Sequence, residues 1–186
     1  MSVLLIVLGV VVLFVIVTYN RLVSMRQTTK SAFADIDVQL KQRYDLVPNL
    51  VATVQGYAEH ERGVFEKVTE ARATAMHATS LAERGAAEGA LSGALMQLMA
   101  VAENYPQLKA NANFQQLQSE LGDLENKIAA ARRFLNNAVA EYNGAIQQFP
   151  AVLFAASLGF QEAEMFALGS DERATVVVPP KVSFGG

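Results

Sequence analysis

From Ser2 to Tyr19 the chain reads SVLLIVLGVVVLFVIVTY, without one charged side chain, before Asn20 and Arg21 close the run. Such a stretch leaves little choice of fold. A backbone placed in hydrocarbon must satisfy its N–H and C=O groups internally, and a single segment achieves that only as an α-helix. At about 1.5 Å per residue the run reaches about 27 Å, close to the ~30 Å hydrocarbon core of a bilayer. Residues 1–20 are therefore predicted to form a transmembrane helix that meets the lipid bilayer through residues 2–19. A cleaved signal peptide would show a basic residue before the run and a small-x-small site after it, and neither is present. Arg21, Arg26 and Lys30 follow the run, while only the terminal amine precedes it. Positive flanks stay in the cytoplasm, so the predicted topology is single-pass, with the N-terminus outside and the soluble domain cytoplasmic.

The rest of the 186-residue chain suffices for one domain with its own core. A first, almost wholly apolar seam runs from Phe33, Ile36, Leu40, Tyr44, Val47, Val51 and Val54 through Ala58, Glu61, Phe65 and Val68 to Arg72 and Ala75. Its alternating three- and four-residue steps predict one long packed helix. Pro48 lies inside it and is expected to kink the helix; Asp45 is the alternative N-cap for a helix starting afresh at Leu46. A second seam from Phe114 through Leu121, Ile128 and Leu135 to Phe149 predicts another long helix, capped at Asn113 with Gln116 three residues on and stopped by Pro150. Between them Leu91, Leu95, Leu98, Ala102 and Tyr105 form a shorter stripe closed by Pro106, preceded by a Gly- and Ala-rich connection near Gly85 to Gly89. Ala151 to Gly159 is compatible with a short apolar helix, and Phe160, Phe166 and VVVPPKVSF continue as an extended tail. The reading is all-α, with three or four helices facing one core.

Composition narrows the chemistry. The chain has no cysteine, which excludes disulfides, thiolate catalysis and Cys-ligated zinc. A formal net charge of -3 supplies none of the dense Lys/Arg surface that phosphate backbones require, so no nucleic acid partner is expected. No phosphate-cradling glycine loop, GxSxG elbow or clustered nucleophile and base is present. His60 and Glu61 are adjacent on a predicted helix and point about 100° apart, which prevents convergence on one ion. A di-iron bundle needs two Glu-x-x-His motifs, and His60 and His77 are the only histidines. No catalytic residue, metal ligand or cofactor is expected.

Two polar groupings stand out. Asp45, Asn49, Ala52, Gly56, His60 and Gly63 recur at helical spacing away from the seam, a small and polar face suited to close helix contact, within the chain or between copies. Glycine in an exposed helix costs about 1 kcal/mol relative to alanine, which makes a backbone approach the reason to place two there. Arg72 falls in a core-like position, and Glu125 is its expected partner, with Arg132 and Asn136 completing a structural polar network that fixes register. The alternative is a solvated stripe in which Arg72 snorkels outward.

Longer motifs also occur in sequence order: RYDLVPNLVATVQGYAEHE from Arg43, VTEAR from Val68, YPQLKANANFQQLQSEL from Tyr105, ENKIAAARRFLNNAV from Glu125, YNGAIQQFP from Tyr142 and the closing PPKVSF. On these the chain resembles the LemA family from about Asn20 to its end. The resemblance implies a bacterial inner-membrane protein with an N-terminal transmembrane helix followed by an antiparallel four-helix bundle with two long helices, and it implies no established enzymatic activity. The corresponding division is an anchor at 1–20, a LemA-like helical bundle at 21–158 and an extended tail at 159–186. The expected function is a non-catalytic scaffold that forms homo-oligomers and presents a surface to membrane-protein partners, because tethering raises the local concentration of weakly associating copies. The alternative is a membrane-tethered sensor with a small-ligand pocket between helices. A hydrolase would need converging carboxylates with shifted pKa values and ranks last.

Overall fold

The structure, a computed structural model, describes residues 1–166, so VVVPPKVSF lies outside the described residues. It is all-α. Helix α1 spans Ser2–Gln55, α2 Arg62–His77, α3 Leu81–Glu103, α4 Pro106–Lys109 and α5 Ala112–Gln147, followed by 3-10 turns at Ala151–Leu153 and Ala156–Leu158. No strand occurs among the described residues. The apolar run opens α1 and is long and apolar enough to cross a membrane. Its side chains from Ser2 to Val17 are all exposed, as lipid-facing groups are.

The chain divides into two compact units. The first comprises Met1–Gln39 and Lys127–Met165. Within it α1 and the second half of α5 run antiparallel: the Thr29 hydroxyl donates to the Ala138 carbonyl (3.4 Å), while Leu22, earlier on α1, packs with Tyr142 and Ile146, later on α5. Burial raises the pKa of the Tyr142 phenol, partly offset by the nearby Arg26 charge. Beyond α5 the predicted short helix is instead the two 3-10 turns, which place Ala151 and Ala155 in the same core. Gly159 then takes φ 76°, a left-handed conformation that glycine adopts freely, and the Phe160 N–H donates back to the Ala155 carbonyl (3.0 Å). That reversal buries the Phe160 ring, and two hydrogen bonds of 2.9 Å between the Asn143 amide and the backbone of Ala163 hold the segment that follows against α5. Phe160 and Phe166, the aromatic residues that the sequence left to an extended tail, are both buried.

The second unit is built on Leu40–Asn126. Its core takes Val47, Leu50 and Val54 from α1, Phe65 and Val68 from α2, Leu91 and Leu98 from α3, Leu108 from α4 and Phe114 and Leu121 from α5. Pro48 does not end α1. The first seam breaks instead at residues 56–61, where the Tyr57 N–H bonds the Val54 carbonyl three residues back and tightens the chain out of the helix just past Gly56. Ala58 still turns inward, 1 % exposed, so the apolar period survives a break in the helix. Asp45 is therefore mid-helical and exposed, paired with Lys41 at 3.0 Å.

Two caps also differ from expectation. Asn111, not Asn113, caps α5, its side-chain oxygen accepting from the Phe114 N–H at 3.1 Å. The stretch from Gly85 to Gly89 is helical, because α3 already starts at Leu81 behind a capping box formed by Ser80 and Glu83. The Glu83 carboxylate accepts the backbone N–H groups of Ser80 and Thr79, which hold its pKa below the usual glutamate range.

Candidate functional site

Among its described residues the second unit buries one arginine. Arg43 lies three residues after Leu40 and four before Val47, on the inward face of α1, and is 1 % exposed. A guanidinium in that position stabilises the fold only when its charge and its N–H groups are met. Glu88, 1 % exposed on α3, meets Nη2 through Oε2, and its other oxygen accepts the Tyr44 hydroxyl. Nη1 donates to Glu125 Oε1 on α5 at 2.6 Å and to Ser92 Oγ on α3 at 3.1 Å. Ser92 follows Glu88 by four residues and shares its helix face. One side chain thereby ties α1, α3 and α5 together. Among the described residues no acceptor faces Arg43 Nε.

Arg72 has a different task from the one expected. Its Nε donates to the Tyr44 backbone carbonyl at 2.7 Å. In a regular helix that carbonyl would accept the N–H of the residue four positions on, which here is Pro48, and proline has none. Arg72 supplies the donor that Pro48 lacks, which is how α1 carries a proline without ending. Glu125 consequently pairs with Arg43 and not with Arg72, a correction that follows from geometry: Arg72 is engaged on the backbone of α1 while Arg43 reaches across to α5. Arg132 and Asn136 lie in the part of α5 that belongs to the first unit, each half-buried and engaged in interactions of its own.

The six members of the predicted contact face do not share one helix. Asp45, Asn49 and Ala52 are on α1, Gly56 and His60 are in the connection to α2, and Gly63 is in the first turn of α2. All six are exposed. A Cβ placed on Gly56 would meet only the carbonyls of Thr53 (3.6 Å) and Ala52 (3.8 Å) in ordinary contact, and one on Gly63 would meet nothing within 4 Å. Among the described residues no other element's backbone closes on either glycine.

Sequence reasoning missed Arg43, Glu88 and Ser92. Signals for them exist: Arg43 interrupts the Leu40 to Val47 step, and Glu88 precedes Leu91 and Leu95 by three and seven residues, a seam spacing. No group of three or more His, Cys, Asp or Glu side chains among the described residues is arranged to hold a metal ion. The arrangement joins two carboxylates to one guanidinium.

The LemA family model matches residues 32–184, a span that takes in Arg43, Glu88, Ser92 and Glu125 together. The chain belongs to the LemA family. Among similar proteins is Magnetosome protein MamQ of Magnetospirillum gryphiswaldense, 27 % identical over 174 residues, a match covering 80 % of this chain and 64 % of that protein. Magnetosome proteins MamQ 1 and MamQ 2 of Paramagnetospirillum magneticum match at the same identity and coverage. The chain thus spans less than two thirds of the length of these LemA-type relatives. With the apolar opening of α1, family membership makes this a LemA-type, membrane-associated protein.

Proposed function

We propose that this LemA protein is a non-catalytic scaffold, held in a bacterial inner membrane by the first turns of α1 with its helical domain on the cytoplasmic side, and that it self-associates there. The observation that carries this reading is the internal pairing of the buried charges. Both Nη groups of Arg43 are committed to Glu88, Glu125 and Ser92. Those groups fix helix against helix. A domain whose chemistry is spent internally acts through its surface, and the open glycines at 56 and 63 are part of that surface. Confinement to a bilayer makes weak contacts between copies effective. Arg21, Arg26 and Lys30 support the cytoplasmic placement.

A second reading, a tethered sensor of a small ligand, draws on an apolar groove of about 540 Å³ lined by Thr74, His77, Ala78, Ala86 and Ala90 along α2 and α3. Such a volume suits a small molecule, although pockets that bind tightly enclose most of their ligand. The mass of full-length protein in nanodiscs, compared with protein lacking residues 1–22, separates the two. A defined assembly that dissolves on Gly56→Leu supports the scaffold; a monomer in both preparations removes self-association and leaves the ligand reading.

A further inference from the structure

The first unit exposes apolar side chains where a soluble surface would not. At and beyond the end of α5, Phe149 is 78 % exposed, Leu153 72 %, Val152 52 % and Leu158 47 %. These four fall within ten residues of chain, on the rim of the small core that Leu22 shares with Ala151, Ala155 and Phe160. Leu22 follows the end of the apolar run by three residues, so that core sits about one helical turn past the lipid-facing stretch of α1. Two further contacts hold the segment at that level. The Phe160 ring stands edge-on to Tyr19, centroids 5.5 Å apart, and the Arg26 guanidinium lies 4.9 Å from the Phe160 centroid. α5 descends α1 antiparallel, from Ala138 beside Thr29 to Ile146 beside Leu22, so that its last turn, just before Phe149, lies about one helical turn from Tyr19.

We propose that residues 149–158 are a second membrane-contacting element, a lipid-embedded foot in which Phe149, Val152 and Leu153 enter the headgroup and upper acyl region beside the span. The occupant of this apolar surface is the bilayer, because the segment is tied to the end of the apolar run of α1 by Phe160 against Tyr19 and by the core it shares with Leu22. Tyr19 supplies the aromatic residue favoured at a membrane interface, and exposed Arg21 lies at the level of lipid phosphates. The two 3-10 turns give the segment its use: they bring the chain back toward α1 through Ala151 and Ala155, with Phe154 packed beside them, while leaving Val152, Leu153 and Leu158 outward. Two lipid contacts, one spanning and one interfacial, fix the tilt and rotation of the first unit against the membrane, which a single straight helix does not do.

The inference rests on α1 crossing the bilayer, and the test separates the two. The chain contains no tryptophan, so each substitution adds a single reporter to the full-length protein. Phe149→Trp and Leu153→Trp are compared, in phosphatidylcholine/phosphatidylglycerol vesicles, with Val11→Trp inside the span and with exposed Phe134→Trp on α5. The foot predicts blue-shifted emission for the first two, quenching by lipids brominated near the headgroup at least about twofold that of Phe134→Trp, and protection from aqueous iodide. Iodide access equal to that of Phe134→Trp, without lipid quenching, would overturn it. Blue-shifted emission without lipid quenching would assign the patch to a second copy and likewise overturn it. Absence of quenching at Val11→Trp by lipids brominated deep in the acyl chains would remove the span itself, and the foot with it.

Discussion

Arg43 decides what the second unit's interior is. Buried ion pairs are expensive to form, and removing one partner is worse, because an uncompensated charge stays behind. Arg43→Met leaves Glu88 buried without its cation, and full-length protein in detergent is expected to lose about 3–5 kcal/mol of unfolding free energy in urea titrations. Arg43→Met with Glu88→Leu removes both charges and should recover much of that loss, since Glu125, with 40 % of its side chain exposed, can turn to water. Equal losses in single and double variants would show that Arg43 matters for its volume and not for its charge. Arg72 and Pro48 form a second testable pair. Arg72→Leu strands the Tyr44 carbonyl and is expected to cost about 1–2 kcal/mol. In a Pro48→Ala background the new N–H bonds that carbonyl, so the same substitution should cost about 1 kcal/mol less. Identical costs in both backgrounds would separate the arginine from the proline. The sequence marked Arg72 as a core-like position, yet its acceptor is a backbone atom made available by a residue 24 positions earlier, and side-chain spacing carries no record of such a debt.

At the scale of elements, periodicity read the helices well and their ends poorly. The seams of α1 and α5 follow from apolar steps of three and four, because burying one face is what makes a helix stable in a protein. The break at residues 56–61 escaped the same logic, since Ala58 buries at the seam position whether or not its neighbours are helical. Glu88 was lost for the opposite reason: Gly85, Gly89 and the alanines around it resemble a connection, and the capping box at Ser80 that starts α3 earlier went unread. That box has a pH signature. With its pKa lowered in the fold, Glu83 contributes stability that is present above its unfolded pKa and lost as pH falls through the lowered folded value. Glu83→Gln should therefore flatten the acid side of the stability profile, seen as a smaller drop in melting temperature between neutral and acidic buffer. An unchanged acid slope would dissociate the carboxylate from helix stability.

For the whole molecule, the sequence marked the candidate span, because a charge-free run of bilayer length is long and apolar enough to cross the hydrocarbon core. The lipid-facing foot was not visible there: Phe149 and Leu153 are ordinary apolar residues until the 3-10 turns fix which way they face. On the proposed reading, this LemA protein pairs its buried charges, Arg43 and Glu88, internally and offers its surfaces to lipid and to other copies. Self-association in the bilayer is the central claim, and the absence of cysteine makes it directly measurable, since one cysteine introduced at exposed Met96 labels a single site. Donor- and acceptor-labelled full-length proteins are mixed in vesicles and diluted stepwise with lipid while energy transfer is followed. Assembly predicts transfer that persists well above the random-encounter level as lipid increases and that collapses when unlabelled protein is added in excess. Transfer that follows the random-encounter curve at every dilution would contradict the account.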